Sequence, residues 1–384
     1  MTSFSDTTVV PGLAATSKLA RQPRICMPSW RSFKKYAFQG CLYEAQDVLL
    51  GVDDVEMICP EPGRIFHLKE GLQRRLVWRD VSKTLAYVNP GLRPVHLRKE
   101  YDLFVAICQN WWDILYLNAI KGWKDRCKVS VCWFDELWAA WIPEYRHWLH
   151  VFEKFDHVVL GLEGSVSALE RALGRRCHWV PMAVDAVRFT PYPSPPKRVV
   201  DVYSLGRRWD GIHRSLLDLA AHDGLFYIYD TFPGSMAHPP DHRQHRELLA
   251  NIAKRCRFFV VGPAKLGVTE DMQGQAEVGY RFFEGCMAGS VMIGQAPECP
   301  SFRELFGWPD AVIPLQTDGS DVSDTLSRLQ NQPDRLNEIG WRNAREALLR
   351  HDWVYRWRRI LEIAGLTPTA AMEERERKLR ALAE

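Results

Sequence analysis

Several residues of this chain are of the types, and at the spacing, that bind hydroxyl-rich and phosphorylated ligands. Glu277 and Glu284 precede Ala288, Gly289 and Ser290, an apolar run from Val291 to Ile293, and a loop with Pro297 and Pro300. The pattern predicts a short amphipathic helix carrying both acids, a small-residue corner and a buried strand. A carboxylate on a helix packed under a strand–loop junction is placed to accept hydrogen bonds from ligand hydroxyls. A second group is cationic. Gly206, Arg207, Arg208, His213 and Arg214 directly follow the apolar run at Val199–Leu205. Arginine forks hold phosphate oxygens bidentately and meet the charge that grows on a departing phosphate. Lys265 closes the loop after another apolar run, Cys256–Val261, while Tyr280 and Arg281 flank the acidic helix. Ligands of open α/β sheets bind at the C-terminal ends of the strands, where these loops begin. Solvated surface charge accounts for the arginines otherwise, and core packing for Tyr280.

The first half offers a different chemistry. The run Val131–Phe134 ends in Asp135 and Glu136. Carboxylates at a strand end face a cleft more often than a core, because burying them unpaired is expensive. Either could orient a nucleophile or take its proton; an N-cap role explains Asp135 as well. The loop Pro28–Gly40 supplies Arg31, Lys34 and Gln39 to the same side. Seven of the 15 tryptophans fall in one region, as Trp111, Trp112, Trp123, Trp133, Trp138, Trp141 and Trp148. Most serve a core, with an exposed indole near Trp138–Trp148 left to stack on a sugar or meet a lipid interface.

These side chains need rigid elements behind them. Strands are predicted at Ile25–Met27, Val55–Cys59, Asp102–Ile107, Lys128–Trp133, His157–Leu160 and His178–Pro181. Helical patterns at Phe33–Leu49, Asn110–Lys121 and Ser165–Leu173 lie between them, so the arrangement is βαβ with a largely parallel sheet. Four prolines between Thr190 and Lys197 make a stiff linker. The alternation then restarts: strands at Val199–Leu205, Leu225–Tyr229, Cys256–Val261, Val291–Ile293 and Ala311–Pro314, helices at His213–Ala221 and Gln244–Lys254. Near the end, Trp353, Val354, Trp357, Ile360, Leu361 and Ala364 form an apolar stripe at helical spacing. The final AMEERERKLRALAE predicts a charged, solvated helix.

Composition narrows the classes. A formal charge of +3 over 384 residues is too mild to argue for a nucleic-acid partner. No apolar run approaches the ~18 residues of a membrane span, and residues 1–22 read as a poorly ordered leader without the pattern of a secretory signal. Ten cysteines without a C-x-x-C pair, mostly inside apolar runs, predict buried thiols in a cytoplasmic protein. No G-x-G-x-x-G, P-loop or G-x-S-x-G is present, and no D-x-D between apolar strands, so neither a dinucleotide, a further cofactor nor a metal is implied.

Glu284 with the following GCMAGSVMI resembles the donor-site segment of the group-1 retaining glycosyltransferases, which reads roughly E–x7–E–A–M–A–x–G–x–P–V–V. Glu277 lies one position closer than that pattern's first acid, and Ala276 holds its place. The run Val180, Pro181, Val184, Asp185, Phe189 and Pro191 resembles the end of that family's first domain. Gly206 with Arg207 or Arg208 matches its phosphate-binding arginine, while His213 and Arg214 stand where it has a lysine. The resemblance spans roughly residues 100–365.

It implies an α/β protein of GT-B fold: two facing Rossmann-like domains and a C-terminal helix that crosses back to the first. The divisions are 23–190 for the acceptor, 191–197 as linker, 198–350 for the donor and 351–384 for the crossover helix and tail. The implied activity moves a sugar from a UDP- or GDP-linked donor to a glycan, lipid-linked or other acceptor, without a metal and with retention, in surface polysaccharide or glycoconjugate synthesis. The implied place is cytoplasmic, with peripheral contact to the inner membrane face. Glu284 and Glu277 are its expected catalytic acids, with Asp135 or Glu136 as base if the reaction inverts. Gly206, Arg207, Arg208, His213, Lys265, Tyr280 and Arg281 hold the donor; Arg31, Gln39 and Trp138 face the acceptor. A nucleotide-sugar epimerase of the same fold and a non-catalytic glycan-binding protein are the alternatives.

Overall fold

The computed structural model describes residues 23–79, 83–231, 238–268 and 270–384; the expected leader lies outside them. The strands are β1 (Ile25–Pro28), β2 (Val55–Ile58), β3 (Val95–His96), β4 (Tyr101–Cys108), β5 (Ile120–Lys121), β6 (Cys127–Phe134), β7 (His157–Leu160), β8 (His178–Trp179), β9 (Val200–Ser204), β10 (Tyr227–Tyr229), β11 (Cys256–Val261), β12 (Val291–Gly294) and β13 (Ile313–Pro314). Among the described residues they form two large sheets, ordered β2-β1-β4-β6-β7-β8 and β10-β9-β11-β12-β13, with every pairing parallel. In each sheet the chain starts inside and reverses direction between its first and third strands. That crevice is where open α/β sheets bind ligands.

The central strands read as unbroken apolar runs because helices cover both faces. Leu103 through Ala106 are wholly buried, as are Phe258 and Phe259. One apolar cluster runs through both sheets, joined by the helix Trp353–Ile363. Asp352 caps that helix by accepting from the Val354 amide at 2.8 Å. Its Trp357 donates to the Ala45 carbonyl at 2.8 Å and packs edge-on against Trp133. The crossover to the first half is therefore present, made by the predicted stripe.

Four expectations are corrected. The first helix begins at Gly40, not Phe33, because Trp30 and Phe33 turn inward onto Tyr116 and Phe66. Asn110–Lys121 holds a helical turn at Asp113–Tyr116 continued by a 3₁₀ turn at Leu117–Ala119, and then Ile120 pairs with Val95. Glu277 precedes its helix, which runs Tyr280–Met287 after an extended Gly279. The tail is not solvated: the helix Ala370–Ala383 buries Met372, Glu376, Leu379 and Ala383, with Arg358 neutralising Glu376 at 2.5 Å.

The tryptophan region is mainly core. Trp111 stacks on Tyr145 at 4.7 Å and Trp123 on Phe104 at 4.4 Å; Trp112 and Trp141 are half-buried. Nine of the ten cysteines are buried or half-buried, and all are free. Among the described residues no helix is long and apolar enough to cross a membrane.

Candidate active site

A cleft of about 800 Å³ lies at the C-terminal strand ends of both sheets. One wall carries Phe38, Gln109, Asp135, Glu136, Trp138, Leu162 and Met182; the other carries Gly206, Arg207, Arg208, Asp230, Thr231, Ala264, Lys265 and the stretch 278–281. A larger cavity, about 1260 Å³, opens near Tyr192, Asp201, Arg257 and Trp341. It sits at the opposite strand ends, and its Asp201 and Arg257 neutralise each other. The cleft holds the chemistry.

Its second wall is cationic. Arg208 donates through Nη2 to Asp230 Oδ1 at 2.6 Å, and its guanidinium also hydrogen-bonds the Tyr227 hydroxyl. Gly206 turns the chain at φ +84°, which costs glycine nothing, and its amide also donates to Asp230 Oδ1 at 3.0 Å. Arg281 closes the floor beside Gly206. Lys265 sits at φ +57°, a left-handed conformation that costs a non-glycine residue about 1–2 kcal/mol. There it pairs with Glu136 at 3.0 Å, across the cleft. The Tyr280–Met287 helix presents its N-terminus to the cleft through Gly279 and Tyr280. Free amides at such an end suit an anion.

Opposite these cations is a buried acid. Tyr280 donates its hydroxyl to Asp135 Oδ2 at 2.9 Å. Burial first, then the neighbouring Glu136, push the Asp135 carboxyl up to about 8, against the Tyr280 hydrogen bond and Lys265. A carboxyl in that range exchanges a proton near neutrality. The sign for stability follows from its ordinary value of 3.8. Between ~4 and ~8 the folded state holds a proton that the unfolded chain lacks, so stability falls as pH rises through that window and levels off above it. Asp135→Asn keeps an acceptor for Tyr280 and removes the titration. The expected result is a flatter stability profile from pH 5 to about 8.5, with a difference of a few kcal/mol at ~1.4 per unit. Thermal unfolding of both proteins across that range checks it; parallel profiles would refute it.

Glu284 lies one turn behind Arg281 and does not line the cleft. Its carboxylate is buried between Arg246 and Arg281. Burial pushes it up, but Arg281 and Arg246 outweigh that and hold it below the usual carboxylate range. Its place is to fix Arg281. Glu277 is also buried outside the cleft. It accepts from the Gly164 amide at 2.8 Å and Gln275 Nε2 at 2.7 Å, tying the second half to the loop after β7.

Three further expectations change. His213 faces Tyr227, bonding its hydroxyl at 2.9 Å, and packs on Tyr229; it does not line the cleft. Arg31 is held by Asp47, Gln46 and Ser29, and Asp47 also binds Arg243 and His242. It fastens the two halves together. Gln39 is buried beside Phe38, which does reach the cleft. Trp138 edges the cleft although it is fully buried, and its indole N–H has no partner among the described residues. Asp230, Gln109 and Phe38 were not singled out in the sequence. The strand-end rule that marks Asp135 would have marked Asp230 and Gln109. Among the described residues no group of three or more His, Cys, Asp or Glu could hold a metal ion.

Residues 229–362 match the family model described as glycosyl transferase-like. This stretch is similar to a glycosyl transferase-like domain. It contains Asp230, Lys265, Tyr280, Arg281 and Glu284, and it ends within the crossover helix. The resemblance to the group-1 glycosyltransferases fits it. An alpha-glucosyltransferase in complex with UDP-glucose and DNA containing an abasic site is similar to the whole chain, with a TM-score of 0.52 at 10% identity, covering 89% of this chain and 99% of that one. Alpha-glucosyltransferase (AGT) in complex with UDP gives 0.51 at 10% identity, covering 90% and 100%. Anabaena Alr3699/HepE in complex with UDP-glucose gives 0.47 at 14% identity, covering 89% and 99%. The fold around the glycosyl transferase-like domain is GT-B. No curated protein matches this sequence.

Proposed function

We propose that the protein transfers a sugar from a nucleoside-diphospho-sugar to an acceptor bound against the first wall of the cleft. The observation that carries this reading is the convergence of Arg207, Arg208, Lys265 and Arg281 with a helix N-terminus at one set of strand ends, facing Asp135. The diphosphate lies among these cations, which meet the charge that develops as the sugar departs. Lys265 exchanges Glu136 for phosphate as the donor enters. Glu284 holds Arg281 in place. The linker at 191–197 acts as the hinge between a first unit, 23–190, and a second, 198–350. Closure there keeps water from competing as nucleophile.

The donor is UDP-linked, a choice supported by the UDP and UDP-glucose complexes of the similar structures. The leaving phosphate takes the acceptor proton, giving retention, and the protein's own cations do the work of charge stabilisation. Asp135 and Trp138 orient the acceptor, a glycan or a lipid-linked sugar of surface polymer synthesis on the cytoplasmic side. A thermal-shift series with UDP, UDP-glucose, GDP and ADP tests the donor assignment. At ~100 times its dissociation constant a ligand adds about 2.7 kcal/mol of stability. Stabilisation by UDP and UDP-glucose above the others is expected. No response to any nucleotide from the folded protein would refute the transferase reading. Breakdown of UDP-glucose to an epimer without acceptor would convert it to an epimerase.

A further inference from the structure

The two halves meet again beside the cleft, at a contact that the transferase reading leaves without a purpose. Gln275 and Glu277, on the chain before the helix Tyr280–Met287, reach the first half there. Gln275 Oε1 accepts from the Ala139 amide at 2.9 Å. Its Nε2 donates to the Ser165 hydroxyl at 3.0 Å and to Glu277 Oε1 at 2.7 Å. The same Glu277 oxygen accepts from the Gly164 amide at 2.8 Å. Both polar atoms of the Gln275 side chain are thus spent on holding two first-half loops, one after β6 and one after β7. The fit leaves no room for a side chain at 164. A Cβ there would lie 2.7 Å from Glu277 Oε1 and 3.0 Å from Gln275 Nε2. Gly164 is not among the left-handed glycines, so it is this crowding, and not backbone strain, that a side chain would meet.

What lies on either side gives the contact its use. On one side is the cleft of about 800 Å³, edged by Trp138, Leu162 and the stretch 278–281. On the other, a cavity of about 810 Å³ opens between the halves, lined by Ala139, Gly164, Gln275 and the exposed Arg146 and Arg171. The four hydrogen bonds stand between the two, with a small apolar contact of Trp138, Leu162 and Met272. We propose that Gln275 and Glu277 latch the halves together here and seal the cleft against water from this second cavity. They are positioning residues: neither lines the cleft, and they act by fixing the loop that carries Asp135, Glu136 and Trp138. This role rests on the transferase reading, since water competes with the acceptor for a sugar that is leaving a diphosphate. A buried hydrogen-bonded network suits a seal because it specifies one arrangement of the loops, which three apolar side chains alone do not.

Hydrolysis of UDP-glucose without acceptor tests the proposal. Gly164→Ala acts from the first half and Gln275→Ala from the second, and neither touches the cations of the donor wall. Each is expected to raise hydrolysis at least about threefold, while the thermal response to UDP stays as in wild type. Hydrogen exchange in peptides covering 138–141 and 163–166 should quicken in both. Because both break one latch, Gly164→Ala/Gln275→Ala should add little beyond either alone. Gln275→Glu sets two carboxylates against each other and should behave like Gln275→Ala. The swap Gln275→Glu/Glu277→Gln returns a donor between the two side chains and should bring hydrolysis back towards wild type. Unchanged hydrolysis in variants whose exchange quickens overturns the proposal, as do additive effects or a swap that rescues nothing. A folded wild type that does not respond to UDP would instead remove the transferase reading, and this role with it.

Discussion

Arg208→Ala is expected to cut sugar transfer by about two to three orders of magnitude, the range for removing one fixed donor from a developing oxyanion. The expectation rests on how this guanidinium is held. One end is fixed to Asp230 at 2.6 Å, and the ring of Tyr229 lies 5.5 Å from its centre. The guanidinium also hydrogen-bonds the Tyr227 hydroxyl, and the residue lines the cleft. A guanidinium held on one side keeps its planar fork fixed, so an anion meets it with little reorganisation. The arginine is thus preorganised for a phosphate oxygen. Arg207 is the internal comparison. It is exposed and among the described residues reaches the Leu266 carbonyl at 3.3 Å, so water and salt weaken its pull. Arg207→Ala should cost at most about tenfold. Arg208→Lys keeps the charge but loses the fork, and should recover only a minor part of the activity. Steady-state kinetics separate the causes. A fall in kcat at constant KM means the contact matures in the transition state, and a rise in KM alone means it already holds the ground state. A loss under threefold for Arg208→Ala would remove it from the site.

Much of the cationic wall was legible because Gly206, Arg207, Arg208 and Lys265 sit in loops that follow apolar strand runs, and strand ends are where parallel sheets expose side chains. These four reach the cleft by that rule, as do Asp135 and Glu136, while Tyr280 and Arg281 reach it from the start of the helix Tyr280–Met287. What the sequence concealed were partners distant along the chain. Arg31 looks free until Asp47 and Arg243 are seen beside it. His213 looks like a ligand until the tyrosines of β10 face it. The tail helix was misread because Glu376 interrupts its stripe, and only folding brings Arg358 to neutralise that acid. Glu277 was placed on the helix although Gly279 breaks the pattern before it. Glu284 was placed correctly on its helix but expected to meet ligand hydroxyls, whereas two arginines, one from another helix and one from one turn away, occupy its oxygens. Pattern fixes which side of an element is covered. It does not say by whom.

Arg246→Ala is expected to destabilise the protein by about 3–5 kcal/mol, the cost of breaking a buried ion pair from one side. Arg246 is buried on the helix His242–Ala253. Its Nε and Nη2 donate to Glu44 at 2.8 and 3.1 Å, and its Nη1 holds Glu284. Glu44 belongs to the helix Gly40–Val52 of the first half. It also accepts from the Asp185 amide at 2.8 Å, Arg188 at 3.0 Å and Trp353 at 3.2 Å. The two carboxylates therefore depend on one guanidinium lying between the halves of the molecule. Removing it leaves Glu284 with Arg281 and the weak Cys41 thiol bond and strips Glu44 of two bonds in a dry site. The effect should reach the cleft, because Arg281 lines it and is steered by Glu284. Donor affinity should thus fall together with stability, although Arg246 does not line the cleft. Arg246→Lys supplies one charge where three hydrogen bonds are needed, and should restore less than half of the loss. Arg243, exposed on the same helix, provides the control: Arg243→Ala removes a solvent-facing bond to Asp47 and should cost under about 1 kcal/mol. Chemical denaturation of the three variants, with UDP titrations on each, makes the comparison. Equal small losses for Arg246→Ala and Arg243→Ala would mean that water reaches the Glu44–Arg246–Glu284 cluster and that it bears little of the contact between the halves.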